Sequence, residues 1–339
     1  MPALAPVSGS LEAAAARVAA LLAGAGAGAG LADRTLSALE FEATVIPHPL
    51  QRTAPPADVW AVDGGQALVA DARCLQVVAT RASRVRFHEG ACVLEDEGEL
   101  RAQVLAGAEE RAAALAALGL ADMAADTPVD VNLLRDRWEW EAVERSVEEA
   151  EPGGLVLVDG DLLPDWRIPS SFLGRVLGRA AERAILVAGI TKHSSLSRGG
   201  APLVGQLELE AAATLGPRAL WWATIARTKA TATEPATEAA ALQVVAARLD
   251  PDARFAFRVD LPAGADPATA LGAVSALCDD AAFPGYPYPL AVADRLAACP
   301  GWVRQEAALR LDELLAQAGV APEVRERAFA DRHRLMERA

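Results

Sequence analysis

Residues 155–190, LVLVDGDLLPDWRIPSSFLGRVLGRAAERAILVAGI, carry the reading on which the fold turns. LVLV at 155–158 is an unbroken apolar run, as a strand covered on both faces requires, and Pro152-Gly153-Gly154 interrupts the chain just before it. The spacing then predicts a helix over 170–182, and AILVAGI at 184–190 forms a second apolar strand. Helical periodicity at 106–120 and 131–150 precedes this unit, so strands and helices alternate here and the sheet has parallel members. Further upstream, VWAV at 59–62 begins a strand that is expected to end at Asp63-Gly64-Gly65. Segments 66–71, 73–80 and 82–88 alternate apolar with polar or basic residues, as the strands of an antiparallel meander do.

Meandering strands followed by two that are reached through helices are the order of a ribonuclease H-like sheet, although other α/β topologies share the periodicity. The expected fold class is therefore α/β: a mixed five-stranded ribonuclease H-like sheet flanked by helices, with an N-terminal helical arm and added C-terminal strands and helices. The arm comprises residues 1–50. It has an Ala/Leu helix at 11–23, the flexible joint GAGAGAG at 24–30, and a second helical stretch at 31–42. Four prolines between 47 and 58 make an extended connection into a domain spanning 51–339. Apolar strands are expected at 219–226 and 254–260, and helices at 267–279, 289–298, 302–318 and 322–337.

With 339 residues, 52% of them hydrophobic, the chain can bury a large core. No apolar run reaches the ~18 to 20 residues needed to span a bilayer, and the N-terminus lacks the basic start of a secretory signal, so a cytoplasmic protein is expected. Cys74, Cys92, Cys278 and Cys299 show no paired spacing and are assigned no role. A net charge of −14 excludes a broad basic surface of the kind that coats nucleic acid. Any DNA contact is then local, through a basic groove, metal ions or a partner.

Asp63 and Asp159 each follow an apolar strand and precede glycine, in VDGG and VDGD. Asp-Gly commonly just closes a turn. If the two strands are neighbours, about 4.8 Å apart, the two carboxylates instead converge on shared hard cations, and glycine lets a phosphate backbone approach. In the helix LLRDRWEWEAVERSVEEAE, residues 133–151, Leu134, Trp138, Ala142, Val143 and Val147 form the apolar stripe. Glu139 borders that stripe, whereas Glu141, Glu144, Glu148 and Glu149 read as solvated charge. Asp294 lies in a short helix with Leu290 and Ala297 on its face, where a buried carboxylate needs a cation or donor. His48, His88 and His333 are isolated. His333 sits between Arg332 and Arg334, a basic spot for DNA or solvent.

VWAVDGG at 59–65, the R-x-x-x-E of Arg135 to Glu139, LVLVDGDLL at 155–163, LVAGITKHSSLS at 186–197 and GYPYPLAVADRLA at 285–297 together resemble the successive motifs of the NurA nucleases. The resemblance spans roughly residues 30–335. It implies a ribonuclease H-like core, a homodimer with a central channel, and association with a hexameric HerA-type ATPase that moves DNA. Carried over by position, it makes Asp63, Glu139 and Asp159 metal-binding carboxylates, with Lys192 and Tyr286 as further catalytic residues. Asp294 stands where many relatives have histidine, and is read as a fourth metal ligand. Oxygen ligands suit two Mn²⁺ or Mg²⁺ ions. His193 and Arg198 are weaker candidates for contact with the DNA backbone. The activity so implied is single-strand endonucleolytic and 5′ to 3′ exonucleolytic cleavage of single-stranded and duplex DNA in double-strand break resection. A noncatalytic dimeric adaptor of the same fold, or a sugar-kinase or actin-like ATPase, are the alternatives; the second lacks the Gly-rich phosphate loop it requires.

Overall fold

The computed structural model describes residues 10–26, 28–33, 39–124, 126–228 and 241–330. In chain order the elements are α1 (Leu11–Ala23), β1 (Leu31–Asp33), β2 (Leu39–Phe41), β3 (His48–Pro49), β4 (Asp58–Asp71), β5 (Gln76–His88), β6 (Ala91–Asp96), β7 (Arg101–Leu105), α2 (Ala108–Ala117) and α3 (Val131–Glu149). There follow β8 (Leu155–Asp159), α4 (Ser170–Glu182), β9 (Leu186–Thr191), β10 (Leu196–Arg198), β11 (Ala201–Pro202), α5 (Leu203–Leu215), β12 (Trp221–Thr228), β13 (Leu242–Arg248) and β14 (Phe257–Pro262). The chain continues through α6 (Pro267–Ser275), α7 (Tyr288–Ala297), α8 (Gly301–Gln317) and α9 (Pro322–Ala328).

The expected five-stranded core is present, in the order β6-β5-β4-β8-β9, with β4, β8 and β9 parallel and β4-β5-β6 an antiparallel meander. It does not stop there. β14 pairs antiparallel with β9, and β13, β12 and β2 continue outward, so the C-terminal strands lengthen the same sheet to eleven strands. An apolar strand such as β9 left at an edge would invite pairing with another chain, and β14 covers it.

Two strand boundaries differ from expectation. β4 does not end at Gly65 but runs on to Asp71, because Gly64 and Gly65 pair with Ala82 and Arg81 of an equally long β5. Ladder pairing on β5 outweighs the turn tendency of Asp-Gly, and the real turn comes at Arg73 (φ 68°), where the Asp71 carboxylate accepts from the Arg73 amide at 2.7 Å. Segments 66–71, 73–80 and 82–88 are thus parts of two long strands. Residues 31–42 are not helical over the described part: β1 pairs with β10, and β2 with β12. The last helix is described only to Ala328, and His333 with its flanking arginines lies outside the described residues.

Alternation on the central strands sends Trp60, Val62, Val156 and Val158 to one face, against α3 and α4. Val59, Ala61, Leu155, Leu157, Ala188 and Ile190 face the other way, against α6 and α7. Each valine, leucine or isoleucine among them, fully buried, contributes roughly 1.5 to 3 kcal/mol. α3 begins at Asp130, whose carboxylate caps the Leu133 amide at 2.9 Å, and its length buries Leu133, Leu134, Trp140, Val143 and Val147. Arg258 and Asp260 form a buried fork, 2.8 Å on both arms, which Asp33 of β1 joins at 3.3 Å. Asp260 also accepts from the Leu162 amide at 3.2 Å, which fixes the loop leaving Asp159. No described helix is long and apolar enough to cross a membrane.

Candidate metal centre

Parallel pairing of β4 with β8 sets Val62 beside Val158, so the next residues, Asp63 and Asp159, stand side by side. Both belong to the face covered by α7, and α7 brings Asp294 to the same place. Carboxylate oxygens of Asp63, Asp159 and Asp294 all lie within 4.8 Å of one another. The condition set by the sequence, that the two strands be neighbours, is met. Asp294 departs from expectation in one respect: it is not buried on the apolar helix face, since its side chain is 52% exposed and reaches in from the rim.

Glu139 comes from the opposite face of the sheet, and Gly64 is the reason it can. A Cβ at Gly64 would fall 2.6 Å from Glu139 Oε2 and 2.9 Å from Arg135 Cγ, so the Glu139 carboxylate occupies room that a side chain would claim. Gly65 is tighter still, with its Cβ position 1.7 Å from the Ala297 carbonyl oxygen at the end of α7. Strand β4 is thus stripped of side chains where two helices close over it. Glu139 and Arg135 line the same cleft of about 280 Å³ as the three aspartates, although Glu139 lies outside the tightest group of three. Arg135 escaped the sequence assignment. Its signal there is the R-x-x-x-E spacing, one helical turn before Glu139, to which no role attaches. Its charge acts on Glu139 and Asp136, opposing the rise of their pKa values, and its Nε is buried without a hydrogen bond.

Lys192, just past the end of β9, donates to Asp159 Oδ2 and to Asp294 Oδ1, each at 2.6 Å. Burial alone would push its pKa down, but these two carboxylates outweigh that and raise it. Its ammonium also sits 5.0 Å from the centre of the Tyr286 ring. The Tyr286 hydroxyl is buried beside Asp159, and burial, the Asp159 charge and its hydrogen bond to that carboxylate drive its pKa upward. His193 is exposed nearby. Arg198 is not available to DNA: it is buried, held by Glu210 and, at 2.8 Å, by Gln206.

The acids resist ionisation. Burial, then repulsion from Asp159, raises Asp63 to about 7, with Lys192 opposing. Burial also raises Asp159, and it raises Glu139 well above the usual range, with Asp63 adding to the effect. Oxygen-only ligands that hold their charge at a cost fit a hard divalent cation.

The sign of the pH dependence follows. An Asp63 pKa raised from 3.8 to about 7 means that the folded chain holds the proton more tightly than the unfolded chain. Below about pH 4 both forms are protonated and the site costs nothing. Stability falls as pH rises from there to about 7, and a cation that replaces the proton restores it. The melting temperature gain on adding Mn²⁺ is therefore expected to be larger at pH 8 than at pH 5.5. Equal gains at both would remove Asp63 from the cation site.

No family model and no curated protein matches the chain. Among solved structures it is similar to a crystal structure of the NurA nuclease from Sulfolobus solfataricus, with 17% identity, 81% of this chain and 88% of that one covered, and a TM-score of 0.53. A second NurA crystal structure aligns at 9% identity over 83% of this chain and 93% of that one, with a TM-score of 0.49. A crystal structure of human endonuclease V aligns at 15% identity over 89% and 100%, with a TM-score of 0.37. At the identity of the first alignment the likeness is one of architecture, and the chain has the fold of the NurA nuclease.

Proposed function

We propose that this chain is a divalent-metal-dependent DNA nuclease. The observation that carries the proposal is the meeting of Asp63, Asp159 and Asp294, from two adjacent parallel strands and a helix, in one cleft with Glu139 and two cationic side chains. Asp63, Asp159 and Asp294 are the ligands for Mn²⁺ or Mg²⁺, with Glu139 completing the set. Such ions, when bound, activate water and shield the leaving oxygen of a phosphodiester. Lys192 and Arg135 supply positive charge toward the phosphate, and Tyr286 offers its hydroxyl to a phosphate oxygen or a ligand. The bare backbone at Gly64 and Gly65 lets a phosphate come close.

In this reading the nuclease domain spans residues 51–339, and residues 1–50 form an arm whose β2 and β3 lie on β12. The wider assignment is cleavage within single strands and 5′ to 3′ degradation of DNA ends during double-strand break repair. It includes action as a homodimer with a HerA-type hexameric ATPase, in the cytoplasm. The fold likeness and the acidic cleft support it.

The deciding experiment is cleavage of end-labelled single-stranded and duplex oligonucleotides with Mn²⁺, Mg²⁺ or chelator. Metal-dependent cutting is expected. No cutting by the pure chain, with or without the ATPase, overturns the proposal in favour of a noncatalytic adaptor. Asp294→His refines the test: replacing an oxygen ligand by imidazole shifts the relative activity with Mn²⁺ and Mg²⁺. An unchanged metal profile would place Asp294 outside the ligand set.

A further inference from the structure

Lys192 and Asp294 line the metal cleft and also a second, mainly apolar cavity of about 460 Å³. Its other walls carry Phe255, Phe257, Phe283 and Tyr286. Phe255 is 57% exposed and Phe283 60%, an uncommon cost for two large aromatics. They are not loose. The loop of Phe255 is held by Arg248 Nη2 donating to the Ala253 carbonyl at 2.8 Å and by the Ala256 amide donating to Glu208 at 2.6 Å. The loop of Phe283 turns at Gly285, whose φ of 92° and 2.8 Å amide bond to the Cys278 carbonyl set its path. A Cβ at Gly285 would meet Ala253 Cβ at 2.5 Å, so the two loops are packed directly against each other. Phe257 completes the wall, tilted 49° against Tyr286 at 5.7 Å.

The charge on this rim is equally specific. Arg254 lies 5.2 Å over the Phe255 ring and has no carboxylate partner among the described residues. Both acids on the rim are paired, Asp252 with Arg218 and Asp294 with Lys192, each at 2.6 Å. Rigid aromatic faces, an unpaired arginine beside them and a shared wall with a phosphate-handling cleft match one occupant, a nucleotide with its base unstacked. We propose that this cavity receives an unpaired nucleobase of the strand being cut, with Phe255 and Phe283 as its stacking surfaces and Arg254 on the neighbouring phosphate. The inference rests on the nuclease reading above for the strand that passes the metal cleft. It adds a physical source of strand preference: every base has a π-face, so stacking tolerates any sequence, but a base inside a duplex must first leave its stack.

The test is the affinity of the full-length chain for a labelled oligothymidylate in Ca²⁺, read by fluorescence anisotropy, so that binding is measured apart from cutting. Phe255→Ala and Phe283→Ala are each expected to weaken binding about tenfold, and Phe255→Trp to retain it. Both positions are exposed, so truncation leaves the fold intact. In Mn²⁺ the same alanine variants should raise KM with little change in kcat. Placing an abasic residue in turn at each position of the oligonucleotide should weaken wild-type binding most at one position. That position should lose its effect in the Phe255→Ala, Phe283→Ala double variant. DNA affinity unchanged in both alanine variants, or an abasic penalty that persists in the double variant, overturns the base subsite and assigns the aromatic pair to a protein contact. The two proposals fail separately: a chain that binds in this pattern but never cuts loses the nuclease reading alone, and one that cuts but ignores these substitutions loses the cavity alone.

Discussion

Asp63→Asn is expected to abolish cleavage, by ~10³-fold or more and so at least ~4 kcal/mol of barrier, while leaving the fold as stable as before or more so. Two features set these opposite signs. The carboxylate stands beside Asp159 on the neighbouring strand, where an amide of the same shape carries no charge to hold a cation. Yet in the protein itself that charge is a burden, since burial and Asp159 raise the Asp63 pKa to about 7. Removing it relieves the burden. Thermal unfolding at pH 8 should therefore show an equal or higher melting temperature, and Mn²⁺ should no longer raise it. Retained cutting would take Asp63 out of the site, and a large fall in stability would make it a structural residue instead.

Gly65→Ala has the largest expected effect on the fold. Its new methyl would sit 1.7 Å from the Ala297 carbonyl oxygen, a backbone atom that cannot swing aside. Helix α7 must lift off β4, at about 1 to 3 kcal/mol or more, and it carries Asp294 with it. A melting temperature lower by several degrees and a loss of activity should appear together. Gly64→Ala is the informative contrast. Its methyl meets the movable Glu139 carboxylate at 2.6 Å and side-chain carbons of α3, Arg135 Cγ and Glu139 Cβ, at 2.9 and 3.3 Å, with no backbone atom in the way, so activity should fall with less change in stability than at Gly65. Gly65→Ala as stable as the parent would show that α7 does not close on β4 as described.

Much of this was legible in the sequence, for definite reasons. β8, α4 and β9 announced themselves because a strand covered on both faces is apolar throughout, and α3 because an amphipathic helix repeats its apolar positions. From there Asp63, Asp159 and Glu139 could be placed at one end of one sheet. What escaped was decided by partners distant in the chain. Residues 31–33 and 39–41 read as helix because no local window contains β10 or β12, with which they pair. The strand through Gly64-Gly65 was cut short because glycine signals a turn unless a long neighbour such as β5 holds it straight. Arg198 looked like a phosphate ligand beside Lys192, but Glu210 from α5 claims it. The aromatic cavity is assembled by the packing of Gly285 on Ala253, which no spacing reveals.

The continuity of the sheet has a mechanical side. β4 is bonded to β5 along almost its whole length and to β8 over Val59–Val62, and β8 is bonded in turn to β9, whose other edge is covered by β14. A load applied to Asp63 or Asp159 along the strands would meet these ladders in shear, with many rungs sharing the tension, instead of peeling them open one by one. The two acids are therefore fixed relative to each other by backbone bonds, on strands that are each paired on both sides.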